Sequence, residues 1–180
     1  LNINTATFFA MSSENMNRPK EETEFISILL DNSIKKHLQD LLDNQIKFMV
    51  IGDLSHLPEN IKKTIDYAET VTSKFTKYRL NIAYNYGGQW DVINSINTLL
   101  SEKLVISYEN LSKHLSTGSD FPDLIVRTGG YKRLSNFMLW QAAYSELIFL
   151  DRLWPEFSSN DLSKILSNYK SIKRKFGKVD

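Results

Sequence analysis

The chain has 180 residues, 42% of them hydrophobic and 24% charged, which suits one domain with a single sizeable core. Lys and Arg number 22 against 21 Asp and Glu, so the net charge of +1 excludes a global field that draws in nucleic acid, and any anion site must be local. A cysteine count of zero excludes disulfides, thiolate metal sites and cysteine nucleophiles, and no apolar run approaches the roughly 18 residues of a membrane span. The expectation is a soluble protein of a reducing compartment, the cytoplasm.

Residues 3–10, rich in β-branched and aromatic side chains, read as a strand. Pro19 suits a first helical turn, and Glu21, Glu22 and Glu24 suit the positive end of the helix dipole. Ile26, Leu29, Leu30, Ile34, Leu38, Leu41 and Leu42 follow at helical spacing. Residues 47–51 form a short apolar strand closed by Gly52 and Asp53, and a helix follows Pro58 to about Val71. A strand over 80–84 stops at Asn85-Tyr86-Gly87-Gly88, and Trp90, Ile93, Ile96, Leu99 and Leu100 mark the next helix. Beyond a short helix over 108–115, a strand over 123–126 ends at Arg127-Thr128-Gly129-Gly130. Residues 135–144 read as helix, 147–150 as strand and 162–176 as a terminal helix. Short unalternating strands between helices predict an α/β fold, a mainly parallel central sheet flanked by helices. No repeat or linker divides residues 1–180, which read as one domain.

In such folds ligands bind beyond the carboxyl ends of the strands. Those ends carry Ser12 to Arg18, Gly52-Asp53, Asn85 to Gly88, and Arg127 to Gly130 with Arg133, Leu134, Ser135 and Asn136. Arginine presents a planar fork of donors that matches phosphate oxygens, and glycine lets backbone N–H groups approach an anion. The plainer reading makes Gly129-Gly130 a turn, Ser135 a helix N-cap and Arg133 a surface charge. Neither common nucleotide fingerprint, the phosphate loop or the dinucleotide glycine motif, is present. His37, His56 and His114 lack metal-ligand spacing, so a metal here would take oxygen ligands, which favours magnesium; Glu146 is the carboxylate to watch. The broad apolar stripe of residues 25–42 is core, or else one wall of a channel for a hydrocarbon with an anionic head.

Residues 12–19, 81–88, 122–130, 135–141 and 144–147, with Leu153-Trp154-Pro155, resemble the cis-prenyltransferases, most closely the bacterial undecaprenyl diphosphate synthase type. The match runs in order over essentially the whole chain. The resemblance implies magnesium-dependent condensation of isopentenyl diphosphate onto an allylic diphosphate, giving a long-chain product that partitions to the membrane. It implies substrate contacts from Ser12, Ser13, Glu14, Met16 and Arg18, with Asn15 as the proton acceptor. An amide is a poor base on its own, so orienting the substrate is the other reading of Asn15. Arg127, Arg133, Leu134 and Ser135 would hold isopentenyl diphosphate, and Glu146 would ligate magnesium. A homodimer is implied as well, with an aromatic-rich contact surface over residues 137–154 and with Arg174 and Gly177 reaching the neighbouring phosphate site.

The sequence departs from the family at Met16, Gln89 and Tyr131, where tryptophan, arginine and glutamate are usual. The family's opening strand and its Asp-Gly-Asn-Gly-Arg-Trp loop have no counterpart in these 180 residues. The expectation is that an N-terminal segment with strand, aspartate and phosphate loop precedes Leu1, and that the 180 residues alone are inactive. The alternative reading is a catalytically silent relative that supports an active partner subunit.

Overall fold

The computed structural model describes residues 3–174. Three strands, β1 (Thr5–Phe9), β2 (Ile46–Ile51) and β3 (Tyr78–Ala83), lie parallel in the order β1-β3-β2. Phe9 and Ile51 are both in register with Ala83, so all three strands finish level. Everything that follows them, from Ala10, Gly52 and Tyr84 onward, therefore leaves one edge of the sheet.

Helices α1 (Lys20–Asp43) and α2 (Glu59–Thr72) follow Pro19 and Pro58, residues that cannot continue a helix backward because they lack an N–H. Leu30, Ile34 and Leu41 of α1 and Ile61, Ile65 and Ala68 of α2 close over Phe48 and Val50 of β2. Each fully buried aliphatic side chain contributes about 1.5–3 kcal/mol. Phe25, Ile28 and Leu29 of the same α1 stripe stay exposed, so core packing absorbs only part of it. A second cluster joins Ile51, Ala83, Tyr86 and Met138 to Phe9, Trp90 and Phe137, with the Phe9 and Phe137 rings stacked at 4.6 Å.

Helices α3 (Gly88–Ser101) and α4 (Tyr108–His114) lead to β4 (Leu124–Arg127), which pairs in parallel with β5 (Glu146–Phe149). The single central sheet expected from sequence is thus two parallel ladders, with β1 and β4 each paired on one edge only among the described residues. Side chains link them: Thr5 donates to Asp120 at 2.7 Å, and the Phe8 ring meets Trp154 edge-on. The last helix, α5 (Ser159–Lys170), starts at Ser158, whose side chain and that of Asp161 cap each other's backbone N–H groups. It is shorter than the expected 162–176, and Phe176 lies outside the described residues.

Residues 135–144 do not form the expected helix. Ser135, Asn136 and Met138 are left-handed, with φ of 50°, 61° and 45°, and only Gln141–Tyr144 makes a 3₁₀ turn. Tertiary packing overrides the helical pattern here, because Met138 must enter the core (2% exposed) while Asn136 reaches α3. Behind this loop lies a buried polar knot. The carboxyl oxygens of Asp91, fully buried on α3, accept from Tyr86 Oη at 2.9 Å, Gln141 Nε2 at 2.9 Å, and Ser116 N and Oγ at 2.9 and 2.7 Å. Burial and the neighbouring Asp91 push the Tyr86 hydroxyl far above its ordinary range and keep it a donor.

Candidate active site

Past Phe9 the chain stays tied to β3. Ala10 and Met11 donate to Ala83 O, and Ser13 N donates to Tyr86 O at 2.9 Å. The chain then turns through one 3₁₀ turn, Ser13–Asn17. Ser12 N donates to Asn15 Oδ1 at 3.2 Å, so the amide oxygen of Asn15 is engaged in holding the turn. Glu14 is exposed and accepts from Ser13 Oγ at 3.1 Å and from Asn136 Nδ2 at 2.7 Å. The Asn136 hydrogen bond is the main reason its carboxyl lies below the ordinary glutamate range.

Asn136 is the hub of the edge, and sequence reasoning named it only as part of a motif. Its carbonyl accepts from Gly88 N at 2.6 Å and its Oδ1 from Gln89 N at 3.0 Å, so it caps α3 from 47 residues away. Two glycines admit it. A Cβ at Gly87 would stand 2.5 Å from Ser13 Oγ and 2.6 Å from Asn136 Nδ2, and one at Gly88 would stand 2.7 Å from Leu139 N. Gly87 and Gly88 therefore serve close packing of two loops, and the first N–H groups of α3 are already spent on Asn136.

The arginines gather on the next loop. Arg127 closes β4 and donates through Nη1 to Arg133 O at 2.6 Å and to Ser135 Oγ at 2.7 Å. Ser135 is not the N-cap of a helix. Its left-handed backbone turns its hydroxyl to Arg127. Arg127 Nε is buried without a partner, and desolvation together with Arg133 lowers the basicity of the group. The Tyr131 ring lies 4.3 Å from the Arg133 guanidinium and 6.0 Å from that of Arg127. Gly129 and Gly130 have φ of 91° and 79°, but their N–H groups go to Arg152 O and Leu150 O, so they turn the chain and do not cradle an anion.

Arg18 stands apart from that pair. It bridges to Glu22 at 2.6 Å and, with Met16, Asp53, His56, Tyr84 and Asn85, lines a cavity of about 340 Å³ between the turn and α1. The edge thus offers two places side by side, a cavity at Arg18 and an arginine pair at Arg127, joined by the Glu14–Asn136 bond.

Glu146 is not brought to either. Strand register sets it opposite Leu124, three positions before Arg127 and roughly 10 Å away along the strand. No three His, Cys, Asp or Glu side chains converge on a metal-sized site among the described residues. The donor set fits magnesium only as a single carboxylate completed by substrate oxygens and water, a mode this hard, octahedral ion commonly adopts. Arg174 is engaged within its own chain, pairing with Asp123 and donating to Tyr144 O at 2.9 Å. Gly177 lies outside the described residues, and Phe137 packs into the core and not onto a contact surface.

Parallel strands whose following loops carry an arginine pair and, apart from it, a cavity at Arg18 define a parallel α/β domain suited to ligands with clustered anionic oxygens. Comparison with known proteins agrees and goes further. Residues 1–177 match the family described as putative undecaprenyl diphosphate synthase. A tritrans,polycis-undecaprenyl-diphosphate synthase (geranylgeranyl-diphosphate specific) from Pyrobaculum aerophilum is 42% identical over 98% of this chain and 77% of its own length. Among solved structures, a probable undecaprenyl diphosphate synthase from Campylobacter jejuni superposes with a TM-score of 0.90 at 34% identity, over 98% of this chain and 85% of that one. Lavandulyl diphosphate synthase from Lavandula x intermedia, in complex with dimethylallyl diphosphate, gives 0.89 at 32% identity, over 98% and 80%. The chain belongs to the cis-prenyltransferase family, that of the undecaprenyl diphosphate synthases. Among the described residues no helix is long and apolar enough to cross a membrane.

Proposed function

We propose that this chain is a catalytic cis-prenyltransferase subunit. In this reading it condenses isopentenyl diphosphate with an allylic diphosphate and builds a long-chain polyprenyl diphosphate of the undecaprenyl type, a lipid carrier precursor in cell-wall synthesis. The observation that carries the reading is the Glu14–Asn136 hydrogen bond, which spans 122 residues of sequence and sets the Ser12 to Arg18 turn beside the Arg127 loop. Two diphosphates need two adjacent anion sites, and this contact makes the sites adjacent.

Arg127, Arg133 and Ser135 hold the diphosphate of isopentenyl diphosphate, with Leu134 packed between them in sequence. Arg18 and Met16 face the allylic substrate in the cavity, and the exposed Phe25, Ile28 and Leu29 favour a neighbouring hydrocarbon. As the allylic carbon–oxygen bond breaks, charge collects on the departing diphosphate, and fixed guanidinium donors stabilise it without reorganising. The Ser12–Asn15 turn orients the reacting double bond, a contribution that grows with geometric precision. With its oxygen engaged by Ser12 N, Asn15 acts by orientation, and the proton that isopentenyl diphosphate loses as its double bond shifts goes to the departing diphosphate.

A magnesium ion would neutralise diphosphate charge, and Glu146 is the carboxylate assigned to it. Glu146→Gln, which keeps shape and removes charge, raises the magnesium concentration needed for half activity; an unchanged magnesium titration removes Glu146 from this role. Among the described residues β1, β2, β4 and β5 each keep one unpaired edge, which leaves room for a further strand carrying the aspartate and phosphate loop usual in the family. Exposed Leu147, Leu153 and Trp154 support a cytoplasmic homodimer whose product moves to the membrane.

The test is incorporation of labelled isopentenyl diphosphate into polymer by the protein that carries this chain, with magnesium and farnesyl or geranylgeranyl diphosphate as primer. Polymer from the protein alone supports the reading. Absence of polymer unless an active partner subunit is added makes the chain the silent relative instead.

A further inference from the structure

The Arg133 guanidinium has no hydrogen-bond or ion-pair partner among the described residues, and the Tyr131 ring lies 4.3 Å from it. Arg127 stands 6.0 Å from the same ring, is held by one nitrogen only, and buries a second nitrogen, Nε, that meets no acceptor. Two like charges therefore share one small loop with no carboxylate in ion-pair range among the described residues. Each alone has reason to swing into solvent, yet both sit on one exposed ring (59%).

An aromatic face attracts a guanidinium through the ring quadrupole without using any of its N–H donors. Stacking engages the π face of the cation and leaves the planar fork open at its edge.

We propose that Tyr131 is a positioning residue that sets affinity for a diphosphate: its ring holds the Arg133 guanidinium beside Arg127 with the donors of Arg133 left open. The proposal rests on the assignment of these arginines to isopentenyl diphosphate and names the residue that tunes that site. The ring and not the phenol hydroxyl is the active part, because both contacts run to the ring.

The experiment compares Tyr131→Phe and Tyr131→Leu with the parent by steady-state kinetics, and by calorimetric titration with inorganic diphosphate, which needs no turnover. Tyr131→Phe stays close to the parent. Tyr131→Leu raises KM for isopentenyl diphosphate about 3- to 5-fold, the scale of an exposed cation–π contact, while kcat and the allylic KM change far less. In an Arg133→Ala background, Tyr131→Leu adds nothing. The exposed position leaves melting temperatures level, so a loss of affinity reports on the site.

A Tyr131→Phe variant as weak as Tyr131→Leu overturns the proposal, because the hydroxyl then does the work. So does equal loss for both substrates. If Arg127→Ala weakens diphosphate binding and Tyr131→Leu does not, only the role of Tyr131 falls. If Arg127→Ala leaves diphosphate binding unchanged, the assignment of the arginines falls and this proposal with it.

Discussion

Asp91 is fully buried and its carboxyl oxygens accept four hydrogen bonds from Tyr86, Gln141 and Ser116, none of them from a cation. Arg127 is partly buried, gives two hydrogen bonds through one nitrogen, keeps another nitrogen idle and has a like charge for a neighbour. The two assemblies sit on opposite sides of the same loop. Asp91 holds its far end through Gln141, and Arg127 grips its near end through Arg133 O and Ser135. The difference teaches what each is for. In the knot an unmade hydrogen bond costs about 1–3 kcal/mol, so nearly every group is paired, with Gln141 Oε1 the exception. At the edge, the exposed Arg133 guanidinium keeps its donors unpaired and within reach of an anion that arrives from outside.

The largest effect comes from breaking the knot. Asp91→Ala strands the Tyr86 hydroxyl, the Gln141 amide and two Ser116 donors, and lowers stability by roughly 3–5 kcal/mol in urea or thermal unfolding. Arg127→Ala, measured the same way, loses less than about 1 kcal/mol, because it removes a strained like charge along with its contacts. Equal destabilisation by the two would erase the distinction between a structural and a binding assembly.

The edge answers next, in binding. Arg127→Ala and Arg133→Ala each lose charge-assisted hydrogen bonds to isopentenyl diphosphate worth about 1.5–3 kcal/mol, or at least tenfold in affinity. The allylic substrate, which the proposed function assigns to the cavity at Arg18, loses far less. Competition titrations with each substrate separate the two sites, and matched losses would merge them into one.

Much of this edge was legible in the sequence for a simple reason: parallel strands put their chemistry at their carboxyl ends, and the strands were marked by apolar runs. Residues 46–51 and 78–83 were found within two positions, and residue type marked Arg127 and Arg133 as donors that match phosphate oxygens, beside the plainer reading of a turn and a surface charge. The 135–144 loop was misread because Phe137, Met138 and Trp140 have helical spacing, and nothing local reveals that Asn136 is needed at the start of α3. An asparagine tolerates φ above zero better than most residues, which is the one faint local signal. Asp91 was missed, and Tyr131 was named only as a departure from the family, for a deeper reason. Their roles depend on partners 25 to 50 residues away in one case, and in the other on the side of a ring that faces a guanidinium.

The smallest effect concerns the bond that joins the two regions of the edge. Glu14 has its carboxyl held below the ordinary glutamate range, first by Asn136 and then by hydrogen bonds within its own turn. A group whose folded value is lowered contributes stability that is fully present above its unfolded value, near pH 4.3, and is lost as pH falls through the folded value. The carboxyl is exposed, so solvent screening keeps the contribution below about 1 kcal/mol. Glu14→Gln should therefore be slightly less stable than the parent at pH 7, and the gap should close as pH falls through the lowered folded value, where the parent carboxyl is itself protonated. Unfolding midpoints of both proteins across that range check the sign. A gap that widens in acid would mean that Asn136 prefers the neutral partner, and the tether between the two substrate places would then be something other than this hydrogen bond.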